Sequence, residues 1–68
     1  MRNLIKVERA RHTISQAELA EKAGVSRQSI HAIESGKFVP STLLALKIAS
    51  ILETNVDYLF QLEEADWK

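Results

Sequence analysis

Sixty-eight residues form a single small domain, residues 1–68, and the absence of cysteine excludes disulfide bonds and thiolate metal sites. The hydrophobic share of 46% is ordinary for a globular chain and excludes a disordered one. Nine basic residues balance nine acidic ones, which excludes a strongly basic protein that coats nucleic acid regardless of its sequence.

The beginning of the chain lacks the features of an export signal. The stretch Met1-Arg2-Asn3-Leu4-Ile5-Lys6 reaches charged residues at once and has no apolar core. No apolar run approaches the ~18 residues of a membrane span, and a chain without cysteine agrees with a reducing compartment. His12 and His31 are isolated and make no metal site. We therefore expect a cytoplasmic protein with no membrane partner, cofactor or metal.

Helical periodicity and capping residues predict five helices. The first runs from about Asn3 to Arg11, with Leu4, Ile5 and Val7 as candidate buried positions.

The second and third predicted helices have clear sequence signals at their ends. The second follows Ser15, because Ser15-Gln16-Ala17-Glu18 is a capping box in which the serine and the glutamate each bond the other's amide. The third follows Ser26, another residue type favoured at an N-cap, and ends before Gly36, a favoured C-cap.

These two helices meet at a tight turn within residues 16–35. Gly24 stands where the chain needs a positive φ to leave the second helix. Ala20 is small where the third helix must pass close to the second. The apolar side chains that two crossed helices would share form one seam, Leu19, Ala23, Val25, Ile30 and Ile33. The pattern predicts a helix-turn-helix, whose second helix lies in the major groove of DNA.

The last two helices are predicted from apolar spacing and caps. Pro40 and Ser41 begin the fourth, whose wide apolar stripe has the members Leu43, Leu46, Ile48, Ala49 and Leu52. Asn55 is predicted to cap a short fifth helix, Val56 to about Phe60. The tail, residues 61–68, is acidic and is expected to be loose apart from Trp67, and only Phe60-Gln61-Leu62 has a strand-like alternation.

The outer face of the third predicted helix supplies the candidate base-reading residues. With Ile30 and Ile33 pointing inward, steps of ~100° per residue turn the candidates outward; they are Arg27, Gln28, His31 and, on the flank, Ala32. An arginine pairs bidentately with guanine, a glutamine pairs with adenine, and alanine fits a thymine methyl. The alternative for each is an ordinary surface residue; for His31 a phosphate contact or an exposed imidazole also stays open.

Helix beginnings and small polar side chains supply the candidate phosphate contacts. The candidates are Ser15, Gln16, Ser26, Ser29, Ser35 and Lys37. For Ser15 and Ser26, capping is part of the role. Residues 1–40 carry a net charge of +3 and residues 41–68 a net charge of −3, so the half that contains the motif is the one that would face DNA.

No constellation of side chains suggests catalysis, so the protein is expected not to be an enzyme. Its serine and histidine residues lack an ordered acid, and its glycines, Gly24 and Gly36, make no phosphate-binding loop. A chain with no second domain also offers no evident pocket for a small-molecule ligand.

Apolar side chains crowd the end of the chain and predict a second copy of it as a partner. The candidate dimer interface is Leu59, Phe60, Leu62 and Trp67. A two-fold dimer through these residues, paired as short strands, would set two reading helices one DNA turn apart. In the alternative, the same side chains fold back on their own domain.

The chain resembles the Cro and repressor class of lambdoid-phage helix-turn-helix proteins over roughly Leu4 to Phe60. The matching motifs are the stretch from Ser15 to Ile30, Ile33-Glu34-Ser35-Gly36-Lys37, Pro40-Ser41 and Leu46-Lys47-Ile48-Ala49. The resemblance implies an all-α, five-helix, lambda-repressor-like domain that binds double-stranded DNA operators as a dimer. It is strongest to short members that lack a ligand-sensing domain.

The resemblance also implies roles for single residues. Base contacts come from the positions of Arg27, Gln28 and Ala32. Gln16 braces the first of them and touches phosphate, and Arg9 and Glu34 form a largely buried salt bridge. Two departures stand out: Ala32 replaces a longer polar residue, and Glu53 replaces a glycine that ends the fourth helix in many relatives, so it must adopt an uncomfortable conformation or lengthen that helix.

Together these features predict a sequence-specific DNA-binding transcriptional regulator, a repressor that binds a palindromic operator as a homodimer. Within DNA binding, the alternatives are an antitoxin, a phage switch protein or a restriction-modification controller. The alternative from another class is a protein-interaction module that kept the fold and does not bind DNA.

Overall fold

The computed structural model describes all 68 residues. It confirms the prediction that α-helices are the main elements of the fold. They are α1 (Ile5–His12), α2 (Gln16–Ala23), α3 (Arg27–Glu34), α4 (Thr42–Ile51) and α5 (Val56–Leu59). A 3₁₀ helix, Glu64–Trp67, ends the chain. No helix has the length and apolar character needed to cross a membrane.

Two short strands join the ends of the chain. Strand β1 (Arg2–Asn3) pairs antiparallel with β2 (Phe60–Gln61), with Arg2 opposite Gln61 and Asn3 opposite Phe60. The strand-like character expected after α5 is therefore present, but its partner is the beginning of the same chain.

The serine caps explain where three helices begin. Ser15 Oγ accepts a hydrogen bond from the Glu18 amide at 3.0 Å, and Glu18 Oε1 accepts one from the Ser15 amide at 3.3 Å. Ser26 and Ser41 each accept from the amide three residues later, at 3.1 and 3.2 Å. Each hydroxyl satisfies an amide that has no partner within its helix.

Positive φ angles mark where helices end. Gly24, at φ 75°, follows α2 as predicted. Glu53 has φ 55° and follows Leu52, the C-cap residue of α4, so it takes the strained left-handed conformation and does not lengthen the helix. Asn55 is the N-cap residue of α5, as predicted, but its side chain makes no capping hydrogen bond. Its backbone carbonyl accepts from the amides of Tyr58 and Leu59.

The predicted seam between α2 and α3 lies in the centre of the core. Four of its side chains are buried, those of Leu19, Ala23, Ile30 and Ile33, and Val25 packs against them partly buried. Ala20, the small residue predicted at the crossing of the two helices, is 3% exposed.

Predictions for α1 and α4 were partly wrong about which face is buried. Val7 is 52% exposed, and Leu43 and Leu46 are 65% and 54% exposed. Leu44 and Ala45 point into the core instead. Ile48, Ala49 and Leu52 are buried as predicted. Leu44 and Ala45 complete their stripe at spacings of three and four residues, and this stripe faces the core where α4 packs on α2 and α5.

The predicted dimer interface was wrong for two of its four residues. Leu59 is fully buried and Phe60 is 9% exposed within their own domain, because the Leu4 amide donates to the Leu59 carbonyl at 2.9 Å and the β1–β2 pairing follows. Only Leu62 and Trp67 are exposed, at 60% and 78%.

The acidic tail is attached to the domain, where a loose segment was expected. The α-amino group of Met1 lies 3.0 Å from carboxylate oxygens of both Glu63 and Asp66. Asp66 also accepts the Glu63 amide at 2.7 Å. These backbone and ionic bonds lower the pKa of the Asp66 carboxyl, and the two carboxylates raise the pKa of the Met1 amine.

Candidate nucleic-acid interface

The turn between α2 and α3 determines which face of α3 meets solvent. Gly24 donates to the Glu21 carbonyl at 3.2 Å, and Val25 donates to the Ala20 carbonyl at 3.0 Å. These bonds reverse the chain within a few residues, so Ile30 and Ile33 enter the core. The opposite face of α3 points toward solvent along its whole length.

That outward face holds most of the predicted reading residues. Arg27, Gln28 and His31 are exposed and, together with Gln16 from the start of α2, line a shallow depression of about 240 Å³. Every side chain in this depression is polar. Ala32 is half-buried and lies outside the depression, so the structure groups three of the four candidates.

A chain of hydrogen bonds connects this face to α1. Arg9 donates from Nε to Glu34 Oε2 at 2.6 Å and from Nη2 to Glu34 Oε1 at 3.1 Å. The Arg9 and Glu34 side chains are 15% and 8% exposed, so the ion pair is largely buried. Gln16 Nε2 donates to Glu34 Oε1 at 3.2 Å and lies 3.4 Å from His31 Nδ1.

These contacts differ from the arrangement that the resemblance implied for Gln16. Its amide nitrogen bonds His31 and Glu34, not the Arg27 side chain that opens α3. The amide N–H faces the Glu34 carboxylate, which accepts strongly because it is charged, whereas the Arg27 guanidinium carries only donors and could meet only the amide oxygen.

The candidate phosphate contacts lie at the ends of α2 and α3. Ser15 and Ser26 are exposed caps, and the hydroxyl of Ser26 is 2.9 Å from that of Ser29. Ser35 Oγ donates to the Ala32 carbonyl at 3.1 Å. Lys37 is exposed just after α3. The hydroxyls of Ser15, Ser26 and Ser35 therefore also bond the protein's own backbone.

Sequence reasoning missed one cation beside this face. Lys6 lines a second depression of about 240 Å³ together with residues of α2 and α3, among them Gln16, His31 and Ser35. The sequence signal that could have identified Lys6 is its spacing of three residues from Arg9, since residues three apart lie on one side of a helix. The ammonium group of Lys6 therefore adds positive charge next to the candidate reading residues.

Sequence reasoning also missed a buried carboxylate on α1. Glu8 is 4% exposed, and its Oε2 accepts a hydrogen bond from the hydroxyl of Tyr58 at 3.1 Å. Arg11 Nε lies 3.7 Å from the same oxygen. The hydrogen bond to Glu8, followed by burial, raises the pKa of the Tyr58 hydroxyl. This contact ties α5 to α1 and makes no part of the outward face of α3.

Comparison with known proteins places this geometry in a family. A helix-turn-helix family model matches residues 5–59. The chain is 48% identical over 64 residues to an uncharacterized HTH-type transcriptional regulator, YgzD, of Bacillus subtilis, covering 94% of this chain and 97% of that protein. A similar regulator of Methanocaldococcus jannaschii is 47% identical over 64 residues, with the same coverage.

A more distant relative comes from a bacteriophage. The ImmF control region 10 kDa protein of Bacillus phage phi105 is 34% identical over 56 residues, which are 82% of this chain and 62% of the phage protein. The family model covers the helices that build the outward face of α3. The relatives from Bacillus subtilis and Methanocaldococcus jannaschii each align with almost the whole chain. The chain therefore belongs to the Cro/repressor-type helix-turn-helix family.

Proposed function

We propose that this protein is a sequence-specific DNA-binding transcriptional regulator that represses by occupying a promoter operator. The observation that carries the proposal is the depression on α3, where Arg27, Gln28 and His31 meet Gln16 on an exposed, wholly polar face. The relatives' names as HTH-type transcriptional regulators support the same function. A helix of this motif reads base edges with the residues near its N-terminus.

The side chains of α3 match the chemistry of major-groove base edges. Arg27 would donate two hydrogen bonds to guanine O6 and N7, and Gln28 would pair with adenine N6 and N7. Ala32, on the flank, would meet a thymine methyl. We assign phosphate contacts to the ends of the two helices, Ser15, Gln16, Ser26, Ser29, Ser35 and Lys37, with Lys6 added on the basis of its position.

We further propose a homodimer on a palindromic operator. Leu43 and Leu46 on α4, together with Leu62 and Trp67 near the end of the chain, are each more than half exposed. Exposed apolar side chains of this size are typical of interfaces. A two-fold dimer on a palindromic operator would need to set its two α3 helices about 34 Å apart, one turn of DNA.

A phage-type switch component is the second candidate function. It is favoured by the similarity to a protein of a phage control region, and it would use the same base-reading face.

A selection of bound sequences from a random double-stranded DNA library tests the proposal directly. The purified protein should enrich one motif with two-fold symmetry. A double variant, Arg27→Ala with Gln28→Ala, should enrich none, whereas Glu21→Gln, an exposed change on α2 outside the depression, should enrich the same motif as the unmodified chain. If the unmodified protein enriches no sequence, it is not a sequence-specific regulator.

A further inference from the structure

The amide of Gln16 stands between a carboxylate and an imidazole. Its Nε2 is 3.2 Å from Glu34 Oε1 and 3.4 Å from His31 Nδ1. A carboxylate only accepts hydrogen bonds, so the amide nitrogen and not the amide oxygen must face Glu34. Arg9 holds Glu34 in place through two further hydrogen bonds, which leaves the amide one orientation.

This orientation determines where His31 carries its proton. An amide nitrogen bears hydrogens and has no lone pair to offer, so Nδ1 of His31 must accept. In the neutral imidazole the proton is then on Nε2, the ring nitrogen that Gln16 does not contact. His31 is exposed and lines the depression beside Arg27 and Gln28.

We infer that Gln16 is a positioning residue that holds His31 as a hydrogen-bond donor through Nε2, and that His31 reads an acceptor atom on a base edge. The acceptors that the major groove offers are purine N7, guanine O6 and thymine O4. Cytosine presents only an amino donor there, so His31 discriminates against it. The inference rests on the proposed function and adds a specificity residue whose state is determined by the ion pair between α1 and α3.

The first test reads the tautomer without DNA. Long-range proton–nitrogen correlation spectra of the full chain, labelled with ¹⁵N and recorded at pH 8, where histidine is ordinarily neutral, distinguish a protonated from an unprotonated ring nitrogen. We expect Nδ1 of His31 to be unprotonated. In Gln16→Glu, where a carboxylate faces the ring, Nδ1 should become protonated. In Gln16→Met, which keeps the size but offers no hydrogen bond, the two tautomers should mix.

A Gln16→Glu spectrum identical to that of the unmodified chain would overturn the positioning role. Thermal unfolding of each variant checks that the fold is retained, which we expect because Gln16 is only half-buried.

The second test reads base preference. Selections from a random DNA library with His31→Ala should lose the preference at one base pair of the motif. Gln16→Met should weaken that same preference about threefold to tenfold, the effect of one hydrogen bond, and leave the other base pairs unchanged. Glu21→Gln serves as the matched control on α2. Base analogues at that base pair test the three acceptors in turn: 7-deaza purine removes N7, 2-aminopurine removes guanine O6, and 5-methyl-2-pyrimidinone removes thymine O4. A methylphosphonate at the neighbouring phosphate tests a phosphate acceptor.

Two outcomes would overturn the inference about base reading. One is an equal loss of affinity for all sequences in Gln16→Met, with every preference retained. The other is an affinity that falls with the methylphosphonate and with none of the three base analogues. If no protein variant enriches any sequence, the proposed function fails, and the spectra still decide whether Gln16 positions His31.

Discussion

Arg9 and Glu34 form a bidentate ion pair between α1 and the last residue of α3, with N–O distances of 2.6 and 3.1 Å. The same guanidinium donates to the Ile14 carbonyl at 3.1 Å. One arginine thereby connects three parts of the chain: α1, the loop before α2, and the end of α3. Since Glu34 also receives the Gln16 amide, this pair supports the proposed base-reading face as well as the fold.

Removing one partner of this pair should cost more than removing both. We expect Arg9→Met or Glu34→Gln alone to lower the free energy of unfolding by about 3 kcal/mol, because each leaves a mostly buried group without its partner. A double-mutant cycle by urea denaturation measures the coupling. Surface pairs couple by only ~0–1 kcal/mol, so a coupling in that range would contradict our view of the pair as buried and structural.

Arg27 and Lys37 should affect DNA binding in different ways. Arg27→Ala should weaken binding to the selected operator by about 1–3 kcal/mol and relax the preference at one base pair. Lys37→Ala should weaken all sequences alike and reduce the slope of log affinity against log salt by about 1. Competition binding at several salt concentrations measures both effects. An unchanged operator preference in Arg27→Ala would mean that α3 does not enter the groove as proposed.

Ala20 should tolerate no larger side chain. It is 3% exposed between α2 and α3, so Ala20→Leu should overpack the crossing and lower the free energy of unfolding by about 1–3 kcal/mol. Ala17→Leu provides the control, since Ala17 is exposed on the same helix. Thermal unfolding compares the two variants, and equal midpoints would mean that the helices have room to separate.

The Tyr58–Glu8 contact should make stability depend on pH in the alkaline range. The pKa of Tyr58 is raised in the folded protein, chiefly by its hydrogen bond to Glu8. The unfolded chain therefore loses the tyrosine proton first, so this contribution to stability is present below about pH 10 and is lost as the pH rises through the folded pKa. Tyr58→Phe should remove this part of the pH dependence.

Urea denaturation between pH 8 and pH 11 gives the free energy of unfolding of the unmodified chain and of Tyr58→Phe. The titration of other groups cancels in the difference between the two. Parallel curves for Tyr58→Phe and the unmodified chain would show that the hydroxyl contributes no proton linkage.

The dimer should depend on exposed apolar side chains and not on Leu59 or Phe60. Sedimentation equilibrium at micromolar concentration should show a dimer for the unmodified chain. We expect each of two double variants to shift the dimer to monomer. One is Leu43→Ser with Leu46→Ser, and the other is Leu62→Ser with Trp67→Ser. Val7→Ser is the control, because Val7 is also about half exposed but lies on α1. An unmodified chain that sediments as a monomer would exclude the proposed dimer.

The sequence alone determined the elements whose signals are local. Caps such as Ser15 and Ser26 bond amides three residues away, so they define helix starts without help from the rest of the chain. Gly24 serves its turn by its own backbone freedom. The spacing of Ile30 and Ile33 then predicted which side of α3 turns outward, and with it the exposure of Arg27 and Gln28.

Only the tertiary structure decided the features that depend on distant partners. Leu59 and Phe60 are buried because the beginning of the chain pairs with them, and α4 buries Leu44 rather than Leu43 because of how it packs on α2. The partner of the Gln16 amide was likewise decided by where α1 places Arg9 against Glu34. Periodicity shows that a helix has an apolar face, but the burial of one side chain depends on what packs against it.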